Sequence, residues 1–430
     1  MTASSSDPVA ATDGAPPPRR RLALFLLFLA GLFCILDRQI LNILSQQIKD
    51  EMGLSDAALG LLTGTAFGLF YSTLGIPIAS LADRYSRVRI LWIALALWSA
   101  FTGLCGMATT FVQLFVTRMG VGEAGCQPAS ISLVADLYPP HRRASATGLL
   151  LANAPAGAAI GMLIGGYLSA WLGWCMAFIV AAAPGLMLAA IIALAMAGPA
   201  RAGPAHAPVP LRDSVALLVG RRTIRWLTAV FVAETFCVYT IGAWLPALYF
   251  RTRGMSGIEV GLSLGPAMGA GGMLGTMLAG ALADRLDRHG MIDPWTILQV
   301  MLLLNLVSLA VAVFASAAWL SIAAAFLLNL SLWAYLGPLP VLIQDHAGVR
   351  TRGLALGGII SISNITSMGI GVPVVGAVSD SLQARFGTTA LGYALVMSVA
   401  VVVLLGVVAV DCGRRSARVE NPPAARPAVA

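Results

Sequence analysis

The chain has 430 residues, of which 58% are hydrophobic and only 11% are charged, and a soluble domain of this size cannot bury so much apolar surface. Its net charge is +8, but no fold signature or motif of a nucleic-acid-binding protein accompanies that charge. The cysteines and histidines show neither a disulfide framework nor metal-ligand spacing, so we predict no metal site and no cofactor. These features indicate a polytopic membrane protein.

Apolar runs of about 20 residues recur along the chain, and each is long enough to cross a hydrocarbon core roughly 30 Å thick as a helix. The sequence therefore predicts an all-α fold with twelve transmembrane helices. In chain order the predicted spans are 22–46, 57–81, 90–108, 111–136, 145–170, 174–197, 224–250, 257–282, 292–315, 317–343, 354–380 and 388–410. The terminal segments 1–21 and 412–430 have no apolar period and are predicted to be disordered tails.

The positions of Lys and Arg predict the orientation, because positively charged loops stay in the cytoplasm. If both termini lie inside, 21 of the 27 Lys and Arg residues fall on the cytoplasmic side. The other side keeps Lys49, Arg251, Arg253 and Arg385. We therefore expect cytoplasmic termini.

The two halves of the chain repeat a motif. ASLADRYSR at 79–87 returns as GALADRLDR at 280–288, an offset of 201 residues. The proline-rich segment 198–222 separates the halves as a cytoplasmic loop. We therefore predict two pseudo-symmetric six-helix bundles, 22–197 and 223–411, with a substrate site between them, as alternating access requires.

Several motifs resemble those of a known family. They are DR at 37–38, SLADRYSRVRIL at 80–91, RMGVGEAG at 118–125 and DLYPPHRRASATG at 136–148. The chain resembles the major facilitator superfamily and, within it, the spinster-like subgroup. This resemblance, to the bacterial type of the subgroup, implies secondary transport by alternating access and a location in a bacterial inner membrane. It also implies lysolipid or sphingolipid substrates, as in animal relatives, some of which are linked to proton coupling.

The repeated loops also carry a candidate cytoplasmic gate. Acidic and basic side chains at the ends of spans can form ion pairs that hold the bundles together on that side. The candidates are Asp83, Arg84 and Arg87 in the first copy and Asp284, Arg285 and Arg288 in the second.

Charges within the spans are the candidates for proton coupling and substrate binding, because an ionisable group in a membrane is costly unless it faces water, a partner or a substrate. These are Asp37, Arg38, Arg118, Glu123 and Glu234. Neighbouring residues on a helix diverge by about 100°, so Asp37 and Arg38 cannot both reach one point. We therefore predict pairs across helices, Asp37 with Arg118 or Arg38 with Glu123. Protonation of a carboxylate would free an arginine for an anionic substrate.

The second half contributes further cavity candidates, Tyr239, Trp244, Trp333, Tyr335 and Asn364. We expect a monomeric transporter in contact with membrane lipids that moves an amphipathic or organic anion, with protons as coupling ions. Uptake of a small organic acid and drug export remain alternatives within transport, and a non-transporting membrane sensor is an alternative of another class. No nucleophile–base constellation or nucleotide-binding loop is present, so we expect neither an enzyme nor a primary active transporter.

Overall fold

A computed structural model of the protein describes residues 18–68, 86–120, 126–196, 220–289, 293–347 and 351–420. Within these ranges every regular element is a helix, and no strand occurs. The predicted interbundle loop 198–222 falls almost entirely outside them, since the description stops at residue 196 and resumes at 220.

The N-terminal half begins with a long apolar helix, α1, which is in close contact with α7. Its helices are α1 (Pro18–Met52), α2 (Asp56–Gly60), α3 (Arg87–Cys105), α4 (Phe111–Gly120), α5 (Cys126–Leu137), α6 (Pro140–Leu151) and α7 (Asn153–Ala195). A π-helical turn, Leu61–Thr65, continues directly from α2.

The C-terminal half is built in the same manner around α8, which packs on α15. Its helices are α8 (Arg222–Arg253), α9 (Gly257–His289), α10 (Pro294–Phe314), α11 (Ala318–Ala334), α12 (Pro338–Ala347), α13 (Arg352–Asn364), α14 (Val372–Phe386) and α15 (Ala390–Glu420). A π-helical segment, Ile365–Gly371, joins α13 to α14, and a 3-10 turn, Gly387–Thr389, joins α14 to α15.

Seven helical stretches in the described residues are long and apolar enough to cross a membrane. Two of them, His141–Ala195 and Ala355–Glu420, have 55 and 66 residues, far more than the roughly 20 that one crossing needs. The first is broken at Gly173, whose φ of 72° is non-helical. The second turns at Gly387, whose φ is 55°. Both breaks lie between spans that the sequence predicts as separate.

The two halves meet along α7 with α9 and along α2 with α14. Glycines allow close approach at the first contact, because a Cβ added at Gly261 would lie only 2.7 Å from the Met162 carbonyl oxygen. At Gly166 the nearest atom to an added Cβ would be the Gly257 carbonyl oxygen, at 2.3 Å. Small residues take this role in membranes, where water does not drive helix packing.

At the second contact the two π-helical segments touch each other. The Thr65 hydroxyl donates to the Gly369 carbonyl oxygen at 2.6 Å. A Cβ added at Gly64 would lie 2.4 Å from the Met368 carbonyl oxygen. π-Helical turns of this kind often occur at functional positions, and here they border the space between the halves.

The C-terminal segment departs from the sequence prediction, because α15 remains helical to Glu420 where a disordered tail was expected from residue 412. Tertiary contacts that composition does not reveal hold this end. Arg414 forms an ion pair with Asp293 at 2.6 Å, and Glu420 accepts a hydrogen bond from the Thr223 amide. At the other terminus, α1 begins at Pro18, slightly before the predicted start of the bundle.

Candidate functional site

The clearest charged contact inside the N-terminal half joins α1 to α4. The Arg118 guanidinium lies 3.0 Å from Asp37 Oδ2, and both side chains are almost completely buried. The Trp98 indole N–H on α3 donates to the same oxygen at 3.2 Å. The predicted contact between Asp37 and Arg118 is therefore present. Its functional role stays a prediction.

The second oxygen of this carboxylate is placed differently. Asp37 Oδ1 is buried and has no hydrogen-bond partner among the described residues. One oxygen thus receives both donors, whereas the other is left without one. Glu123, the other predicted carboxylate of this region, lies in residues 121–125, outside the described ranges.

Arg38 follows Asp37 in the chain but points elsewhere, as the 100° helical step requires. Its guanidinium carbon lies 4.2 Å from the centre of the Phe67 ring, a cation–π geometry. Arg38 and Phe67 both line a cavity between the two halves. Helix α1 therefore presents an acidic side chain to α4 and a basic side chain to the cavity.

This cavity has a volume of about 360 Å³, near the low end of the usual range for small-molecule sites. Four of the five predicted cavity residues line it, Tyr239, Trp333, Tyr335 and Asn364. The Tyr239 hydroxyl donates to Asn364 Oδ1 at 3.0 Å. Trp244 is not among the lining residues, because its buried indole donates to the Val372 carbonyl oxygen at 3.1 Å.

Amides and hydroxyls add polar groups to the lining, including those of Gln39, Asn42, Thr63, Thr235 and Asn329. The sequence analysis named both Arg38 and Arg118 as candidates for substrate binding, and the structure places one of these two side chains in the lining. Arg118 is held by Asp37 away from the lining, so Arg38 is the arginine that reaches the cavity.

Glu234 lies inside the C-terminal half and does not meet the Asp37 group. Its side chain is fully buried on α8, where Oε2 accepts a hydrogen bond from Asn305 Nδ2 at 3.0 Å. Asn305 Oδ1 in turn accepts from the Ser331 hydroxyl at 2.6 Å. Glu234 Oε1 has no hydrogen-bond partner among the described residues. The carboxyl group is thus held by neutral side chains.

The repeat relates these two groups to each other. Asp37 and Glu234 lie in the first helix of each half and are 197 residues apart, close to the offset of the repeated loop. Trp98 and Asn305 lie in the predicted third and ninth spans. Arg118 and Ser331 lie in the fourth and tenth. We call Asp37–Trp98–Arg118 the first triad and Glu234–Asn305–Ser331 the second triad.

The predicted cytoplasmic gate is only partly described. Arg87 forms an ion pair with Asp136 at the end of α5, in the same half. Asp83 and Arg84 lie in residues 69–85, outside the described ranges. Asp284, Arg285 and Arg288 lie on α9, but their side chains are not described. Whether these residues bridge the halves stays a prediction.

Several contributing residues escaped the sequence reasoning. Asp136 was detectable, since it begins the DLYPPHRR motif and is acidic next to a basic loop. Trp98, Asn305 and Ser331 gave no such signal, because a single Trp, Asn or Ser in an apolar span is common and most often a packing residue. Phe67 was likewise indistinguishable from the many other apolar residues of its span.

Comparisons with known proteins agree with this architecture. Residues 27–371 match the sequence profile of the Major Facilitator Superfamily. The chain is 33% identical over 405 residues to an "MFS-type efflux pump" of Mycolicibacterium smegmatis, covering 92% of this chain and 93% of that protein. It is 28% identical over 247 residues to a hexuronate transporter of Bacillus subtilis, covering 54% and 57%.

Among solved structures, the fold matches a bacterial homologue of the human lysosomal transporter Spinster in an inward-facing, unoccupied conformation. The TM-score is 0.80 with 25% sequence identity, over 94% of this chain and 98% of that one. The nucleoside transporter NupG has the same fold with a TM-score of 0.75 and 13% identity, over 91% of this chain and 99% of that one. The match to the bacterial Spinster homologue supports the spinster-like resemblance. The chain therefore belongs to the Major Facilitator Superfamily and is an integral membrane transporter, not an enzyme.

Proposed function

We propose that this protein is a proton-coupled secondary transporter that moves a compact organic anion by alternating access. In this proposal it works as a monomer with twelve spans in two bundles, has cytoplasmic termini and resides in a bacterial inner membrane. The observation that carries the proposal is the buried Asp37–Arg118 pair between α1 and α4, next to Arg38 on α1, which lines the cavity between the halves.

Proton coupling is proposed for Asp37 because its two oxygens have different surroundings. Oδ2 binds Arg118 and Trp98, whereas Oδ1 is buried without a partner among the described residues. A proton on Oδ1 would neutralise the carboxylate and weaken its attraction for Arg118. Glu123, in the same predicted span as Arg118, is proposed to take part in this exchange, with Glu234 as a further proton-binding group.

Substrate binding is proposed for Arg38. Asp37 and Arg38 are consecutive on one helix, so any rotation or shift of α1 that alters the contact with Arg118 also moves Arg38 relative to Phe67 and the cavity. Proton binding on one face of α1 is thereby linked to substrate binding on another. Because both sites lie on α1, binding of a proton at Asp37 can change the affinity for substrate at Arg38, and the reverse.

The cavity favours a compact organic anion over a whole lysolipid. At about 360 Å³ it suits a small molecule, and a lysolipid would need its tail to leave the cavity. Arg38 supplies a cation, and amides such as Asn364 and Asn42 supply hydrogen bonds. The similarity to a hexuronate transporter points the same way. The similarity to an efflux pump keeps export of a drug as the second candidate.

The test separates binding from coupling in purified protein reconstituted into liposomes. A thermal-shift panel compares hexuronates and aromatic acids with lysolipids and cationic drugs, followed by flux measurements with and without a pH gradient. We expect Arg38→Gln to abolish stabilisation by the anion, whereas Arg38→Lys, which keeps the positive charge, retains part of it. We expect Asp37→Asn to retain anion binding but to lose acceleration by the gradient, with Glu123→Gln impaired in the same measurement.

Two results would overturn parts of this proposal. Stabilisation by cationic drugs alone would remove the organic anion as substrate. Unchanged gradient-driven flux in both Asp37→Asn and Glu123→Gln would remove the assigned proton sites.

A further inference from the structure

A polar cluster lies between the two halves, at the end of the molecule opposite Pro18 and Glu420, the first and last residues that the structure describes. Its centre is Asp56, the first residue of α2, whose carboxylate is fully buried. Arg251, at the end of α8, binds both of its oxygens at 2.7 and 2.8 Å. The Ser379 hydroxyl on α14 donates to Oδ2 at 2.7 Å, and the Lys49 ammonium on α1 also binds the carboxylate.

A second carboxylate makes the reciprocal contact. Asp380 on α14 accepts hydrogen bonds from the backbone amides of Asp56 and Ala57, at 2.9 and 2.8 Å. These amides belong to the first turn of α2 and have no partner within that helix. A carboxylate of the C-terminal half therefore caps a helix of the N-terminal half, in the position where the helix dipole favours negative charge.

The charges of the cluster balance. Lys49 and Arg251 supply two positive charges and Asp56 and Asp380 two negative ones, so the contact can be buried without a net charge. Gln46 completes it by accepting a hydrogen bond from Arg251 Nε at 2.7 Å. Lys49 and Arg251 are also two of the four cations that the sequence places on the side poor in Lys and Arg. Lys and Arg are usually enriched on the cytoplasmic side, so the presence of Lys49 and Arg251 on the other side needs an explanation other than topology.

We infer that this far-end latch, formed by Gln46, Lys49, Asp56, Arg251, Ser379 and Asp380, holds the two halves together at this end and must separate before the cavity can open there. Every charged contact in it joins elements of different halves except that of Lys49 with Asp56. Separation exposes all four charges to water, which compensates for the lost contacts. The inference rests on the proposed alternating access.

The carboxylate of Asp56 stays ionised at neutral pH. Burial by itself raises the pKa of Asp56, but Arg251, Lys49 and Ser379 outweigh that effect and lower the pKa to about 2. A carboxyl group with a lowered pKa contributes its stabilisation above its ordinary pKa of 3.8 and loses it as the pH falls toward 2. The charged groups that face Asp56 are Lys49, Arg251 and Asp380. At neutral pH the latch therefore opens by movement of the halves and not by protonation.

The test measures the separation of the halves directly. Spin labels are placed at two exposed positions at this end, Met107 after α3 in one half and Thr388 in the 3-10 turn before α15 in the other, after replacement of the six native cysteines. We expect one short distance in the parent protein. Asp56→Asn and Arg251→Gln should each move at least half of the molecules to a longer distance. Asp380→Asn should act in the same direction with a smaller shift.

The matched control is Glu51→Gln. Glu51 also lies at this end, but it accepts its hydrogen bond from the Trp174 indole at 2.7 Å, within the same half. This variant should keep the short distance. The parent distribution should also stay constant between about pH 5 and pH 8, since Asp56 remains ionised over that range.

An unchanged distance in both Asp56→Asn and Arg251→Gln would overturn the latch, as would the same shift in Glu51→Gln. These measurements do not depend on transport. If the distances shift as expected and no substrate flux is found, the latch stands and the proposed function fails.

Discussion

The two triads occupy equivalent predicted spans of the two halves and have one kind of contact in common. In each, a carboxylate on the first helix of the half accepts a hydrogen bond from the third predicted span of that half, Asp37 from Trp98 at 3.2 Å and Glu234 from Asn305 at 3.0 Å. They differ in the counter-ion. Arg118 binds and neutralises Asp37 directly, whereas Ser331, in the tenth predicted span, is neutral and donates its hydrogen bond to Asn305 instead of Glu234.

The two halves therefore share the arrangement of these helices but not the charge at the third position of the triad. A buried ion pair makes each partner dependent on the other, because loss of one leaves an uncompensated charge. A carboxyl group held by an amide has no such dependence. The first triad is therefore expected to respond to any change of charge, and the second chiefly to loss of a hydrogen bond.

The largest expected effect comes from breaking the ion pair of the first triad. Asp37→Asn leaves Arg118 buried without an anion, which should destabilise the protein by about 3–5 kcal/mol. The double variant Asp37→Asn/Arg118→Gln removes both charges and should recover most of this loss. Thermal unfolding in detergent measures both. If the double variant is as unstable as the single one, the charge of Arg118 is not the cause.

A smaller effect is expected from removing the hydrogen-bond donor of each triad. Asn305→Leu removes the hydrogen-bond donor of the buried Glu234, whereas Ser331 can still donate to the Leu328 carbonyl oxygen, and the change should cost about 1–3 kcal/mol of unfolding free energy. Its counterpart Trp98→Phe should cost less, because Asp37 keeps its bond to Arg118. Equal losses in the two variants would contradict the difference that we draw between the triads.

The smallest effect on stability is expected from Glu234→Gln. The amide can still accept the Asn305 hydrogen bond, and no cation is left unpaired among the described contacts, so the change should be below about 1 kcal/mol. Any loss of acceleration by a pH gradient in liposomes would then reflect lost proton binding and not unfolding. A loss of stability as large as that of Asp37→Asn would indicate a charged partner for Glu234.

Much of the fold could be predicted from the chain. Apolar runs near 20 residues placed the helices, and Gly173 and Gly387 break the helical stretches between predicted spans. Glycines four residues apart, such as Gly261 and Gly265, are typical of close helix contacts in membranes, and Gly261 makes one. The end of α15 was missed, because Arg414 and Glu420 are held by distant residues that composition cannot reveal.

The candidate site was predicted in part. Their positions within apolar spans and the 100° step between neighbouring helical residues predicted that Asp37 and Arg118 pair across helices, and they are in contact. The sequence could not decide which arginine reaches the cavity, because that depends on the rotation of α1 and α4 about their axes. Trp244 was misassigned to the cavity for the same reason.

The sequence by itself determined that this is an all-helical membrane protein, how its motif repeats and which charged residues its spans contain. Hydropathy and charge act residue by residue along a helix, so these properties can be read from the chain. Only the tertiary structure decided that Asp37 faces Arg118, that Arg38 faces the cavity and that Asp56 binds Arg251 across the halves. Such contacts join residues up to 324 positions apart, and they depend on how helices are rotated and packed together.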